Sequence, residues 1–426
     1  MPFRAGGRSS ACHDGRVTFP AGARPRASFV LLLGAMAALP AVTTDLYLPS
    51  LPVVADDLGS GPALVQATIT GVLIGGAIGQ LITGPLSDRY GRRGPAMIGI
   101  GLHVVASVLC ALTPGIWPLV ALRVIQGVGN AAATVTAMAV IRDRYSGAGA
   151  SVLMSRLMLV IGVAPLLAPT AGGLIAGWWG WRATFVVLAL VGLALIPVIA
   201  RALPETLPPA ARRREPLGAT FAGYGYLLRD RQFMALALIP GLGLAALMSY
   251  VAGSPFVLQE GYGLSETQFA LLFALNGAGL VLGSQLNASL VKRFDPIALL
   301  RVAIPLATAL GVMLLVLVAT GTGGLWGLIA PLWLLLSVNS LVLPNATALA
   351  LTLHGERAGT AAALIGALQA GVAGTVSPVV GLLGGDDVAM AGVILAAVLA
   401  SLVVFLTAGR SYRRGRPDIG DADPRA

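Results

Sequence analysis

The sequence predicts an all-helical integral membrane protein of about twelve transmembrane helices, arranged as two six-helix halves. Three observations lead there. Of 426 residues, 56% are hydrophobic and only 11% charged, against about 25% charged in soluble domains. Apolar runs, each close to the ~20 residues that cross a bilayer, recur at 28–48, 63–84, 95–114, 118–141, 151–175, 183–203, 232–255, 267–290, 297–320, 326–350, 359–383 and 388–409. After the sixth run the rhythm breaks: residues 204–231 hold Pro204, Glu205, Pro208, Pro209, Arg212, Arg213, Arg214 and Glu215.

The chain thus divides into a basic tail (1–27), a first half (28–203), a polar central loop (204–231), a second half (232–409) and a second tail (410–426). The halves share no close sequence repeat, so their duplication rests on span count. Glycine (55 residues) and proline (27 residues) are abundant, as membrane helices tolerate. Turns such as Thr113-Pro114-Gly115 mark the ends of several runs.

The net charge of +10 reads as topology. Arg4, Arg8, Arg16, Arg24 and Arg26 precede the first span, and even-numbered spans return to Arg89, Arg92 and Arg93, to Arg142 and Arg144, to the central arginines, to Lys292 and Arg293, and to Arg357. The last tail adds Arg410, Arg413, Arg414, Arg416 and Arg425, whereas the opposite face has one clear cation, Arg182. The positive-inside rule then puts both termini in the cytoplasm, and no nucleic-acid partner is expected. A rival reading of the first span is a signal peptide, with Leu31-Leu32-Leu33 as its apolar stretch and Ala35-Met36-Ala37 as its cleavage site. Cleavage there would leave an odd span count and spoil the charge asymmetry.

Cys12 and Cys110 lie in a polar tail and an apolar run, and His13, His103 and His354 are far apart. Neither a disulfide nor a metal site is expected. The sequence lacks a Gly-x-x-x-x-Gly-Lys-[Ser/Thr] phosphate loop, and Lys292 is its single lysine. A self-contained ATP-driven pump is therefore not expected. Gly127-x-Gly129 and Gly277-x-Gly279 sit inside apolar runs with no strand before them, and read as helix packing. So do Gly71, Gly75 and Gly79, which bare one face of the second span.

Ionisable groups at membrane depth are expensive and point to function. Asp45 lies toward the outer part of the first span and Arg123 early in the fourth, at similar depth in the same half. A carboxylate that takes a proton when occluded and loses it on meeting water suits proton coupling, and a nearby arginine can tune it. Asp45 can also be a helix cap in the headgroup region, and both readings stand. Arg156 and Arg301, a turn from cytoplasmic ends, read as snorkelling side chains. Glu260 and Glu266, near the outer connection of spans seven and eight, are weaker candidates for coupling. Polar residues at the depth of a central cavity are Tyr47, Gln66, Gln126, Asn130, Asn276 and Asn339.

The loop after the second span reads Gly84-Pro85-Leu86-Ser87-Asp88-Arg89-Tyr90-Gly91-Arg92-Arg93. It resembles the major facilitator superfamily signature Gly-x-Leu-x-Asp-Arg-x-Gly-Arg-Arg/Lys, with Gly84, Leu86, Asp88, Arg89, Gly91, Arg92 and Arg93 matching. The resemblance implies a cytoplasmic conformational latch with Asp88 as its central carboxylate.

Other stretches resemble the Bcr/CflA drug-resistance branch of the twelve-span drug:proton antiporters. These are Thr44-Asp45-Leu46-Tyr47-Leu48-Pro49-Ser50-Leu51-Pro52, Gly79-Gln80-Leu81, Arg123-x-x-Gln126-Gly127-x-Gly129, Trp181-Arg182 with Phe185, Glu205-Thr206, and Gly366-x-x-Gln369 with Gly371. In the fifth span, Pro165, Pro169, Gly172 and Gly173 match the antiporter motif, with Ala168 where many members have glycine. Two prolines each remove a helical hydrogen bond and the glycines admit a close neighbour, so this helix can bend where the halves meet. What the resemblance implies is a proton-driven exporter of small amphipathic or antibiotic compounds. It would work without a cofactor, as a monomer, in a bacterial inner membrane. A carrier of a sugar, amino acid or other metabolite, and a non-transporting membrane receptor, are the alternatives. A membrane enzyme would need a His/Asp/Cys or Ser/His cluster at depth, and none is visible in the sequence.

Overall fold

The computed structural model describes residues 27–145, 167–212, 217–354 and 357–414, together with Leu153, Leu157 and Val160. Eleven helices among the described residues are long and apolar enough to cross a membrane. Most of the expected fifth span, 151–175, lies outside the described residues, and residues 167–179 of it are helical.

In chain order the first half comprises α1 (Ala27–Asp45), α2 (Leu51–Asp57), α3 (Pro62–Tyr90), α4 (Arg93–Leu112), α5 (Ile116–Arg144), α6 (167–179) and α7 (Arg182–Ala202). The second comprises α8 (Leu217–Arg229), α9 (Arg231–Pro255), α10 (Glu266–Leu290), α11 (Pro296–Ala319), α12 (Gly324–Thr352), α13 (Ala358–Val376), α14 (Val379–Leu382) and α15 (Asp387–Arg414). Neither half contains a strand among the described residues.

Prolines set several departures from the expected boundaries. The first span does not end at 48: α1 stops at Asp45, a 3-10 turn covers Leu48–Ser50, and α2 carries the chain on to Asp57. Pro49 and Pro52 lack the N–H groups that one continuous helix would need. The seventh span passes Pro255 and continues as a π-type turn to Gly261. The central loop is not all connector, since α8 forms within it and buries Tyr224 and Leu227 against the second half.

Within the first half α3 lies along α5. The four-residue spacing of Gly71, Gly75 and Gly79 exists because α5 backbone approaches there: a Cβ on Gly71 would come within 2.8 Å of the Val120 carbonyl, and one on Gly79 within 2.9 Å of the Val128 carbonyl. Between halves, α3 lies along α13.

The two ends of the molecule differ. At the end distant from loop 88–93, a single apolar core joins both halves, with Tyr47, Leu51 and Val54 packed into the same cluster as Tyr250, Phe256 and Val380. At the loop end each half keeps its own core. Between them lies a cavity of about 410 Å³, lined among others by Gln80, Asp88, Met138, Arg142, Tyr224 and Thr360. The far end is closed, and the loop end holds the open volume.

Candidate functional site

Arg123 is the largest fully buried side chain among the described residues. It projects from α5 into a point where four other helices meet. Its Nη1 donates to the Thr43 carbonyl of α1 at 3.2 Å and to Gln126 Oε1 at 2.7 Å, and its Nε donates to the Thr68 carbonyl of α3 at 3.4 Å. The rings of Tyr47 and Phe185 lie 5.0 and 5.6 Å from the guanidinium carbon. Arg123 has no carboxylate partner among the described residues. Its charge is held by neutral carbonyls, one amide and two aromatic faces, and its Nη2 is left without an acceptor.

Such an arrangement is expensive. Burying an unpaired ion costs several kcal/mol after relaxation, roughly offset by charge-assisted hydrogen bonds at ~1.5–3 kcal/mol and desolvated cation–π contacts at ~2 kcal/mol.

The network continues inward. Gln126 Nε2 donates to Ser107 Oγ at 2.7 Å, and that hydroxyl donates to the His103 carbonyl at 2.7 Å. His103, fully buried on α4, meets the Leu188 carbonyl of α7 through Nε2 at 3.2 Å. Thr43 Oγ1 reaches Asn130 Oδ1 at 3.5 Å. Sequence reasoning missed His103 and Ser107. A polar pair one turn apart inside an apolar run was the available signal.

Asp45, the last residue of α1, is 6% exposed, and its carboxylate forms no ion pair or hydrogen bond among the described residues. The structure puts Asp45 and Arg123 in the same half without joining them, because the guanidinium is aimed at the Thr43 carbonyl two residues before. The next residue, Leu46, receives α6: a Cβ on Gly172 would run into the Leu46 carbonyl. Gly173 lies beside Pro49 and Glu266. The fifth-span glycines therefore pack on the break in the first span. Pro169 is buried on the same helix, and Pro165 lies outside the described residues.

The six polar residues expected around a central cavity are all buried, and none lines the 410 Å³ space. The Tyr47 ring lies 5.1 Å from that of Phe185, inclined to it by 47°, and Gln126 and Asn130 belong to the Arg123 network. Asn276 donates to Tyr250 Oη at 3.1 Å, and Asn339 donates to the Gly243 carbonyl at 2.8 Å. Gln66 faces the other half, accepting from the Gly381 N–H at 2.9 Å.

A second cluster sits in the loop between α3 and α4. Arg92 grips Asp143 of α5 with Nε at 2.8 Å and Nη2 at 3.2 Å, while its Nη1 donates to Asp88 at 2.6 Å and Ser87 Oγ at 3.1 Å. Burial opposes its charge, but the hydrogen bonds and charges of Asp143 and Asp88 outweigh it and raise the Arg92 pKa above the usual arginine value. Glu205 accepts from the backbone N–H groups of Arg92 at 2.8 Å and Arg93 at 3.3 Å. It thereby caps the positive end of α4. Thr206 donates to Asp143 at 2.8 Å, so the Glu205-Thr206 pair ties the end of α7 to this loop. Gly91 adopts φ +96°, and a Cβ there would strike the Glu205 carboxylate. Gly84 and Asp88 line the cavity between the halves, and Arg93 bonds the Ala200 carbonyl. Arg89 stacks on Tyr90. At the far end Arg182 pairs with Asp57 at 2.6 Å.

Comparison with known proteins places these features. The profile of the Major Facilitator Superfamily matches residues 30–378. The chain is 38% identical over 389 residues to an uncharacterized MFS-type transporter, YdgK, of Bacillus subtilis, covering 90% of this chain and 96% of that one. It is 30% identical to a bicyclomycin resistance protein homolog of Haemophilus influenzae, covering 91% and 98%. Among solved structures, a bacterial homologue of the human lysosomal transporter Spinster, in an inward-facing and occupied conformation, superposes with a TM-score of 0.68. The identity is 16%, and the match covers 91% of this chain and 98% of that one.

Proposed function

Because this chain belongs to the Major Facilitator Superfamily and is a multi-pass membrane transporter of small molecules, we propose that it exports amphipathic, drug-like compounds in exchange for protons. It works as a monomer in a bacterial inner membrane, without a cofactor, by rocking its halves between inward- and outward-open states. The observation that carries the proton is the charge layout. Asp45 and Arg123 are buried in the first half, whereas no Asp, Glu, Lys or Arg is buried in the second among the described residues. Among the described residues, the buried carboxylate and guanidinium at membrane depth both belong to the first half. The drug class is supported by the relative named for bicyclomycin resistance.

The test is flux in proteoliposomes. A proton gradient should drive accumulation of a bicyclomycin- or chloramphenicol-like compound against its own gradient. Accumulation that ignores the proton gradient would sink the coupling, and sugar flux without drug flux would sink the substrate class.

Orientation follows from the arginines, so the loop end is cytoplasmic and this conformation opens inward. A cysteine at position 212 should resist impermeant reagents in intact cells and react after permeabilisation. Labelling in intact cells would invert the topology.

The loop cluster acts as the latch. Asp88 faces the cavity, and Arg92 fixes it against Asp143. Asp88→Asn removes one charge-assisted bond, ~1.5–3 kcal/mol, and should lower transport about tenfold with unchanged protein in the membrane. Transport at the parent rate would reduce the loop to a topological anchor.

A further inference from the structure

Where α3 meets α14, a side-chain bond joins the halves, as Tyr224 Oη does by donating to the Leu81 carbonyl nearer the loop end. Gln66 of α3 is fully buried, and its Oε1 accepts from the Gly381 N–H, 315 residues away, at 2.9 Å. Gly381 is the third residue of α14, and the first N–H groups of a helix have no acceptor within it. A side chain of the first half thus caps a helix of the second. The approach is too close for another residue: a Cβ on Gly381 would lie 2.7 Å from the Ala63 backbone and 2.8 Å from Gln66 Oε1. The Gln66 Nε2 has no partner, so nothing else ties down the amide.

The same α3 stripe continues at two-turn intervals. Leu73 meets Gly374, where a Cβ would lie 3.1 Å from Leu73 Cβ, and Gln80 meets Gly366, where a Cβ would overlap Gln80 Oε1. This seam between the halves is close at all three levels, and Leu73–Gly374 is the middle one, so it is the level about which the two ends can move in opposite directions. At the far end the other polar link between halves among the described residues is the longer bond from Gln259 Nε2 to the Pro49 carbonyl, 3.4 Å.

We infer that Gln66 is the latch of the far gate: its cap on α14 exists only while that end is closed, and rocking about Leu73–Gly374 breaks it. This rests on the alternating-access reading. The bond selects a state because opening admits water to both groups, whereas closure without the bond would bury an unpaired N–H.

Double electron–electron resonance on the full-length protein tests this, with Cys12→Ser and Cys110→Ala as background. One label pair, Val53→Cys with Leu383→Cys, reports the far end. A second, Tyr90→Cys with Ala358→Cys, reports the loop end. Neither drug nor gradient is needed, so a failure of drug export leaves the measurement intact. In Gln66→Leu the long-distance far-end population should rise about tenfold, with a matching shortening at the loop end. Gly381→Ala attacks the same bond from the other half and should do the same, so the test survives if one variant does not fold. Unchanged distances in a folded variant would overturn the inference. So would far-end lengthening without loop-end shortening, because that is loosening and not rocking.

Discussion

Asp45→Asn is expected to abolish proton-driven uphill export, a loss of about a hundredfold or more, while substrate still binds; this magnitude is the general expectation for removing an intramembrane ionisable group that carries the transported proton. The substitution changes little besides charge. Asp45 is nearly buried at the end of α1, next to the Leu46 carbonyl on which α6 packs, and it holds no ion pair among the described residues. An amide of the same shape therefore preserves the packing and removes only the proton. Two measurements check this: accumulation in proteoliposomes under an imposed gradient, and proton release when drug is added to purified protein. Both should vanish in the variant. If proton release persists unchanged, coupling lies elsewhere, with Glu260 and Glu266 the next positions to substitute.

Arg123→Lys is the other large effect. The charge is conserved, but three bonds to Thr43, Thr68 and Gln126 and two ring contacts depend on a planar fork. A lysine presents a point charge on a flexible stem and cannot reproduce that set. Breaking a buried charge's partners costs about 3–5 kcal/mol, so transport should fall at least a hundredfold and thermal stability should drop. Arg123→Met removes the charge and keeps an apolar stem, and should recover stability but not transport. A normal flux in Arg123→Lys would mean that the fork only supports the fold.

Much of the architecture was legible because it is additive along the chain. A membrane span is a sum over contiguous apolar residues, and the halves follow from where the sum fails, at 204–231. The loop of Asp88 and Arg92 was legible too, through its match to the superfamily signature, although Arg92 lies beyond the end of α3 and reaches Asp88 across the turn at Gly91. The helix α8 was not: prolines and arginines dominate the composition of its segment, while its helicity is secured by burying Tyr224 and Leu227.

The sites divide the same way. Residue type and depth marked Asp45 and Arg123 from the sequence, because a charge in an apolar run is costly wherever it points. Where it points was decided by the tertiary structure. Rotation of α5 carries the Arg123 guanidinium to the Thr43 carbonyl and away from Asp45. The partners of Arg92, Asp143 at 51 residues and Glu205 at 113, came from helices that meet only after folding. So did Gly381 for Gln66. Composition and periodicity set which residues must be buried in lipid or protein. Which buried polar groups satisfy one another depends on helix rotation and on the docking of the two halves, and those are settled by side-chain packing over distances that no window of sequence spans.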